Sequence, residues 1–279
     1  MRNVGLTRAE LDTVFQWSAQ EGWNPGSQDG DSFYAADPQG FLGGFVGGEL
    51  IGSVSAVAYS QPYGFIGLYI VKPAFRGRGH GMALFQAAQA YLGARVIGLD
   101  GVVERQADYA RLGFRAVYRN VRFRHVASGQ QALAEGVMPL AKLPFEAVLR
   151  YDAALHPAPR PDFLKCWLAQ PGAVALAKTT AEGRLAGYGV LRRAHEGHRI
   201  GPLFADDADS ARQLLSGLCA GVEAGEPVFC DVPEINPAAV ALARSQGMAM
   251  VFEAARMYKG TAPVLPMGRI YGTTTLELG

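Results

Sequence analysis

Residues 69–81 read YIVKPAFRGRGHG, an apolar stretch that runs into a glycine-rich loop and then into a helical pattern. Glycines let the backbone approach a ligand closely and turn its N–H groups towards it. The N-terminus of a helix carries partial positive charge and accommodates a diphosphate well. Two arginines of the loop can add charge-assisted hydrogen bonds to such an anion. The segment therefore predicts a diphosphate site, whose residues are Arg76, Gly77, Arg78, Gly79, His80 and Gly81.

The charge around this loop favours an anion, although the whole chain of 279 residues carries a net charge of only +1. No Asp or Glu occurs from Leu50 to Leu99, whereas Lys72, Arg76, Arg78 and Arg95 fall inside that window. A nearly neutral chain lacks the general basic field that nucleic-acid binding requires. A small polyanionic ligand is therefore favoured over a nucleic-acid partner.

The rest of the composition is typical of a cytoplasmic protein without a metal site. Cys166, Cys219 and Cys230 are odd in number and lack CxxC spacing, which favours free thiols in a reducing compartment. The five histidines are scattered, so no metal site is predicted. No run of about 18 apolar residues and no signal-peptide pattern occurs, so neither a membrane span nor export is expected.

Two common phosphate-binding motifs do not fit the loop. A P-loop requires Gly-Lys followed by Ser or Thr, and that sequence is absent. A dinucleotide-binding fold requires GxGxxG and an acidic residue about 20 positions later. The spacing here is GxGxG, and Asp100 is a poor match for the acidic residue.

A third motif does fit, because Arg76, Gly79 and Gly81 spell the R-x-x-G-x-G loop of the GNAT superfamily of N-acetyltransferases. About 30 residues later, residues 109–114 read YARLGF at the predicted end of a helix. This resembles the Y-x-x-x-G-F signature of the same superfamily. Both motifs occur in the expected order and on the expected elements, so residues 1–125 resemble a GNAT domain.

The resemblance implies a mixed sheet in which two neighbouring strands splay apart to admit acetyl-CoA. It implies that the pantetheine arm pairs with the backbone near Ile70 and Val71, and that the pyrophosphate lies over residues 76–81. It further implies that Tyr109 donates a proton to the departing thiolate. The acceptor amine is expected to attack the thioester directly, without a covalent enzyme intermediate.

Two departures from the family leave the general base open. Many relatives have an Asn seven residues before the tyrosine, where this chain has Val102. Some have a glutamate on the strand before the loop, and this chain has no carboxylate there. The proton must then pass to another group or to water, or the substrate must already be neutral. The candidate carboxylates are Glu21, Asp29, Asp100 and Glu104.

The order of predicted elements suggests an internal duplication into two domains. A hairpin, a helix, a strand, a glycine-capped helix and a strand occur in each half, so the predicted fold class is α/β (α+β). It comprises two tandem GNAT-like domains, each a mixed, mostly antiparallel sheet flanked by helices. The predicted boundaries are 1–126 for the catalytic domain, 127–143 for a linker and 144–279 for a degenerate second domain.

The second half lacks the diphosphate signature. At the position of the loop, residues 204–209 read FADDAD, whose aspartates suit a helix cap but repel a diphosphate. The helix over 236–247 has no tyrosine equivalent to Tyr109. We therefore expect this half to have lost the cofactor site and to cover the acceptor side of the first, with residues 151–161 contributing.

The predicted acceptor pocket consists of Trp23, Asn24, Asp29 and His156. Trp23 could form a wall and Asn24 could orient the amine, although the same residues also fit a helix end and a packed aromatic. His156 is a candidate base or an ordinary structural residue.

The sequence thus predicts transfer of an acetyl group from acetyl-CoA to a primary amine of a small molecule, by a monomer or homodimer. A non-catalytic acyl-CoA sensor and a protein N-acetyltransferase are the alternatives.

Overall fold

The computed structural model of the chain describes residues 1–129 and 133–279, so part of the predicted linker lies outside the described residues. The strands are β1 Arg2–Gly5, β2 Phe41–Val46, β3 Glu49–Ser60, β4 Tyr63–Val71, β5 Val96–Val102, β6 Arg115–Val126, β7 Val137–Pro139, β8 Val174–Thr179, β9 Leu185–Arg193, β10 His198–Ala205, β11 Pro227–Pro233, β12 Ala249–Lys259 and β13 Ile270–Gly272. The helices are α1 Arg8–Gln20, α2 Asp29–Ala36, α3 His80–Leu92, α4 Gln106–Arg111, α5 Phe145–Ala153, α6 Pro161–Leu168, α7 Ala208–Cys219 and α8 Pro237–Ser245. Among the described residues, no helix is both long and apolar enough to cross a membrane.

The strands form one continuous sheet, which confirms the predicted mixed, mostly antiparallel architecture. Its order is β1-β2-β3-β4-β5-β12-β6-β11-β10-β9-β8-β7, and β13 pairs with β10 outside this path. The two parallel pairs, β4 with β5 and β10 with β11, occupy equivalent places in the two halves. The observed topology therefore repeats, as the duplicated order of elements predicts.

The halves exchange the strands β6 and β12. β12, from the second half, lies between β5 and β6 of the first, with Arg256 opposite Asp100. β6 in turn pairs with β11 of the second half, with Phe123 opposite Cys230. Strands from both sides of the predicted boundary at 127–143 are thus hydrogen-bonded to each other.

Local sequence signals explain the helix ends. Thr7 and Glu10 form the predicted capping box at the start of α1. Asn236 caps α8 with its side chain, and Pro237 takes the first helical position. The sequence analysis predicts neither β10 nor α5 and α6. β10 contains the pair Gly201-Pro202, which is typical of a turn rather than of a strand. The segment that forms α5 and α6 contains several prolines, which are typical of a loop.

A β-bulge separates β4 from β5. Ser53 and Ser55 of β3 face Ile70 and Gly67 of β4, so two residues of β4 oppose one of β3. Leu68, inside the bulge, has a φ of +44°, which is unusual for a residue other than glycine. A bulge bends the strand that contains it. Pairing of β4 with β5 ends at Ile66 and Leu99, and a gap opens beyond this point.

The equivalent gap in the second half is filled by the chain itself. The pairing of β10 with β9 is irregular between Ile200 and Leu203, and beyond this point β13 pairs with β10. The backbone N–H of Thr273 donates to the carbonyl oxygen of Asp231 in β11. A Cβ on Gly201 would lie 2.2 Å from the Thr274 carbonyl oxygen. No room remains there for the arm of a cofactor.

Candidate active site

A cavity of about 710 Å³ lies where β4 and β5 diverge. One side is formed by β4 and the glycine-rich loop, and the other by β5 and α4. The predicted cofactor residues that line it are Ile70, Val71, Arg76, Gly77, Gly79 and Gly81. Arg78 and His80 do not line it; the Arg78 guanidinium lies 5.9 Å from the Phe75 ring centroid instead.

The glycine-rich loop delivers an uncapped helix start to this cavity. Gly77 and Gly79 have φ values of +72° and +79°, a region that side chains other than glycine rarely adopt. Gly79 is the N-cap of α3 and offers no side chain to accept a hydrogen bond. Among the described residues, no acceptor takes the amides of His80, Gly81 or Met82. These are the donors that a helix N-terminus leaves unpaired, and they are suited to an anion.

Arg76 is already engaged within the protein. Its Nε donates to the carbonyl oxygen of Val71 at 2.7 Å, and its Nη2 pairs with the Glu21 carboxylate. Part of its charge is therefore balanced, and the loop amides are the donors without a partner. Gly81 has a second role, since a Cβ there would lie 2.5 Å from the Tyr69 hydroxyl.

Tyr109 lies on α4 and lines the same cavity. Its ring packs against Phe85 and Phe114, with centroid distances of 5.6 and 6.2 Å. Burial raises the pKa of the Tyr109 phenol above its ordinary value. The hydroxyl therefore keeps its proton at neutral pH and can donate a hydrogen bond to the negative charge that develops on a departing thiolate. Val102, which stands in place of the family asparagine, lines the cavity too.

Only one of the four predicted acceptor-pocket residues, Trp23, lines the cavity. The Asn24 side chain instead bonds the backbone of Glu196, with its Nδ2 3.0 Å from the carbonyl oxygen and its Oδ1 2.7 Å from the amide. Asp29 is buried in an ion pair with Arg192, whose Nε lies 2.8 Å from its Oδ1. Both side chains are therefore outside the cavity and join the halves to each other.

His156 is also separated from the cavity. Its Nδ1 lies 2.7 Å from the Ala158 carbonyl oxygen, and its ring packs edge-on against Tyr59 at 4.8 Å. The surrounding segment, predicted to contribute to the acceptor pocket, forms a buried cluster around the Asp152–Arg160 ion pair instead. Burial lowers the pKa of His156 to about 3, because the charged imidazolium is poorly solvated there.

This lowered pKa predicts an acid-sensitive fold. Unfolding restores the ordinary His156 pKa, so below about pH 6.5 the unfolded chain binds a proton that the folded chain refuses until about pH 3. The contribution of His156 to the free energy of unfolding is therefore fully present above pH 6.5. Below pH 6.5 this contribution falls by about 1.4 kcal/mol per pH unit. His156→Gln should flatten urea-unfolding free energies between pH 7 and pH 4, whereas the exposed His195→Gln should keep the wild-type slope. Equal slopes in both variants would contradict the assignment.

The four candidate bases differ in their hydrogen-bond partners and in their exposure to solvent. Both oxygens of Asp100 are occupied, one by Arg256 Nε and Asn120 Nδ2 at 2.9 Å each, the other by Arg256 Nη2 at 2.8 Å. Glu21 is paired with Arg76 and Asp29 with Arg192. Glu104 lines the cavity but is exposed.

The sequence analysis missed a group of residues that reach the cavity from far away in the chain. Arg122 of β6 lines it and donates to the Trp23 carbonyl oxygen at 2.6 Å. The second half contributes Phe252, Ala254, Leu276 and Glu277. No local pattern marks these positions, because their place follows from the exchange of β12 and from the path of the chain after β13.

Comparison with known protein families gives two matches. The model described as "Acetyltransferase (GNAT) family" matches residues 8–114. The model described as "Acetyltransferase (GNAT) domain" matches residues 148–272. The two matched segments correspond to the two halves of the duplicated topology.

Individual relatives extend over the whole chain. Holothin acyltransferase of Pseudoalteromonas sp. (strain SANK 73390) is 30% identical over 270 residues, which cover 97% of this chain and 92% of that protein. A putative acetyltransferase from Pyrococcus horikoshii superposes with a TM-score of 0.82 at 22% identity, covering 100% of this chain and 95% of that one. A tandem GNAT protein from the clavulanic acid biosynthesis pathway gives a TM-score of 0.61 at 16% identity, with coverages of 94% and 99%.

Proposed function

The chain belongs to the GNAT family of acetyltransferases and is an acyltransferase, and from this premise we propose that it transfers the acetyl group of acetyl-CoA to a primary amine of a small molecule. The observation that carries the proposal is the uncapped start of α3, which opens onto the gap between β4 and β5. The free amides and the gap between the splayed strands match two chemically different parts of acetyl-CoA, its diphosphate and its pantetheine arm. The amides suit a diphosphate, and the gap suits an extended amide-containing arm.

In the proposed complex, the pyrophosphate lies over residues 76–81 and the pantetheine arm runs along β4. Beyond Ile66, β4 has lost its parallel partner, so backbone groups near Ile70 and Val71 face the cavity rather than β5. An extended arm with its own amides can pair with such an edge. This path leads from the helix start towards Tyr109, which protonates the departing thiolate.

The second half supports a small acceptor. Its residues Phe252, Ala254, Leu276 and Glu277 line the cavity together with Trp23, and the corresponding gap of the second half is filled by β13. We infer that this half has no cofactor of its own and serves to enclose the acceptor. The side chain of Asp207 caps α7, bonding the Ser210 amide at 2.8 Å, which makes that helix start unsuited to a diphosphate.

The proposal is tested by thiol release from acetyl-CoA in the presence of a library of primary amines. Propionyl- and longer acyl-CoA donors in the same assay define the acyl length. Turnover with at least one small amine is expected, together with CoA binding by calorimetry. If the protein binds CoA but no amine causes thiol release from acetyl-CoA, the protein is an acyl-CoA sensor. If only peptides cause thiol release, the protein is a protein N-acetyltransferase.

Tyr109→Phe tests the proposed proton donor. Removal of the hydroxyl should lower kcat about 10-fold or more and leave CoA affinity nearly unchanged, since the ring still packs against Phe85 and Phe114. Tyr69→Phe is the comparison, because Tyr69 lines the same cavity and its pKa is also raised by burial. A loss confined to the Tyr69 variant would assign the proton donor to Tyr69 instead.

A further inference from the structure

A buried carboxylate with an unpaired oxygen lies at the cavity, contributed by the chain after β13. Glu277 lines the cavity and is only 5% exposed. Its Oε1 accepts from Arg199 Nη1 at 3.3 Å. Its Oε2 is buried and has no hydrogen-bond partner among the described residues. A buried oxygen without a partner in the protein is costly, so we expect a polar group of a ligand or a water to satisfy it.

The backbone holds Glu277 firmly at the splayed part of β4. A Cβ on Gly67 would lie 1.9 Å from the Glu277 carbonyl oxygen, so this close approach depends on glycine. The next residue is fixed on both sides, since the Leu278 carbonyl oxygen accepts from the Tyr59 hydroxyl and the Leu278 amide donates to Thr275 Oγ1, each at 2.9 Å. These contacts hold the backbone that carries the Glu277 side chain against β4.

Glu277 belongs to a balanced cluster of buried charges. Arg199 of β10 contacts both Glu277 and Asp231 of β11, and Arg122 of β6 pairs with the same Asp231. Arg192 of β9 interacts electrostatically with Glu277 and pairs with Asp29 of α2. Three guanidinium groups thus face three carboxylates, and the members of the cluster are Asp29, Arg122, Arg192, Arg199, Asp231 and Glu277. The cluster therefore provides each of its buried carboxylates with a guanidinium partner.

Among the carboxylates at the cavity, Glu277 combines burial with an unoccupied oxygen. Asp100 is enclosed by its partners, and Glu21 is paired with Arg76. Asp108 is paired with Arg105 and Arg111, and Glu104 is exposed. A proton acceptor must present a free lone pair to the acceptor nitrogen inside the site. This requirement selects Glu277.

We propose that Glu277, supplied by the second half, is the proton acceptor for the amine that attacks the thioester in the site of the first half. This inference rests on the proposed function. An acceptor that arrives as an ammonium ion first loses one proton to Glu277 Oε2, because a protonated nitrogen has no lone pair. The free amine then attacks the carbonyl carbon of the thioester, and its remaining excess proton passes to solvent as the C–N bond forms. The C–S bond breaks, and the thiolate takes the proton of Tyr109. Glu277 then releases its proton to solvent and the Tyr109 phenolate recovers one, so the net products are the amide and CoA thiol.

Glu277→Gln tests the proposal in the full-length protein with two acceptors found in the amine library, an alkylamine and an arylamine. The alkylamine is protonated at neutral pH, and its turnover should fall about 100-fold, with CoA affinity unchanged within 2-fold. The arylamine is already neutral and should lose less than 10-fold. Glu223→Gln, an exposed carboxylate outside the cavity, should match the wild type.

A second variant keeps the test independent of folding. Glu277→Ala leaves space for a small anion, so added formate should restore alkylamine turnover in a concentration-dependent manner. Wild-type turnover in Glu277→Gln, an equal loss with both amines, or a 100-fold loss in Glu104→Gln alone would overturn the assignment to Glu277. These outcomes are distinct from failure of the proposed function, in which the wild-type protein binds no CoA or releases no thiol with any amine.

Discussion

Gly79→Glu is expected to raise the dissociation constant for CoA by more than about 1,000-fold, a loss of roughly 4 kcal/mol of binding free energy. The new carboxylate would stand at the N-cap of α3, where the proposed pyrophosphate accepts hydrogen bonds from the helix amides. Two negative groups would then compete for the same donors. Isothermal titration calorimetry with CoA measures the effect directly.

Gly183→Glu provides a matched control for the backbone strain. Gly183 has a φ of +77°, close to the +79° of Gly79, and a Cβ would meet nothing within 4 Å at either position. Both variants should lose a similar 1–2 kcal/mol or so of stability, because side chains are disfavoured in this region. Only the Gly79 variant should lose CoA binding. Unchanged CoA affinity in that variant would reject the proposed pyrophosphate site.

Asp231→Asn is expected to cost about 3–5 kcal/mol of unfolding free energy. The substitution removes the charge that both Arg122 and Arg199 face, and these two guanidinium groups are almost completely buried. At present the arginines hold the pKa of Asp231 well below its usual range. Without that carboxylate the buried arginines repel each other, and the melting temperature should fall by on the order of 10 °C.

Glu234→Gln is the control for this second substitution, because it disrupts another arginine pair by the same chemical change. Arg119 donates to both oxygens of Glu234, but the two side chains are 49% and 44% exposed. A surface pair of this kind contributes about 0–1 kcal/mol. Urea unfolding of both variants should therefore separate them by several kcal/mol. If the two variants lose equal stability, the buried cluster is not the structural element described here.

The sequence predicts the features that depend on local chemistry. The capping box at Thr7, the glycine-rich loop and the Tyr109 motif lie on the elements assigned to them, because each is fixed by neighbours within a few residues. The duplicated order of helices and strands is likewise local. For this reason the fold class could be predicted from the chain alone and is confirmed.

The remaining parts of the site depend on contacts between distant residues. Arg256 of β12 reaches Asp100 across 156 positions, and Glu277 reaches the bulge at Gly67 only because β13 fills the gap in the second half. Asp29 and His156 are residue types that often occur in active sites, but each is bonded to a buried partner outside the cavity. Hydrophobic periodicity contains no information about which strand of one half pairs with a strand of the other.

The exchange of β12 also constrains the time at which the protein can become active during synthesis. Residues 1–126 leave the ribosome well before residues 249–259. The edge of β5 that pairs with β12 in the folded protein therefore has no β12 to pair with until residues 249–259 have been synthesised. Pairing over so long a sequence separation is slow, and an exposed strand edge invites association with other chains in the meantime. An amino-terminal fragment that lacks residues 249–279 should accordingly aggregate rather than form a smaller enzyme. Synthesis of the chain through β12 is thus a requirement for assembly of the first half.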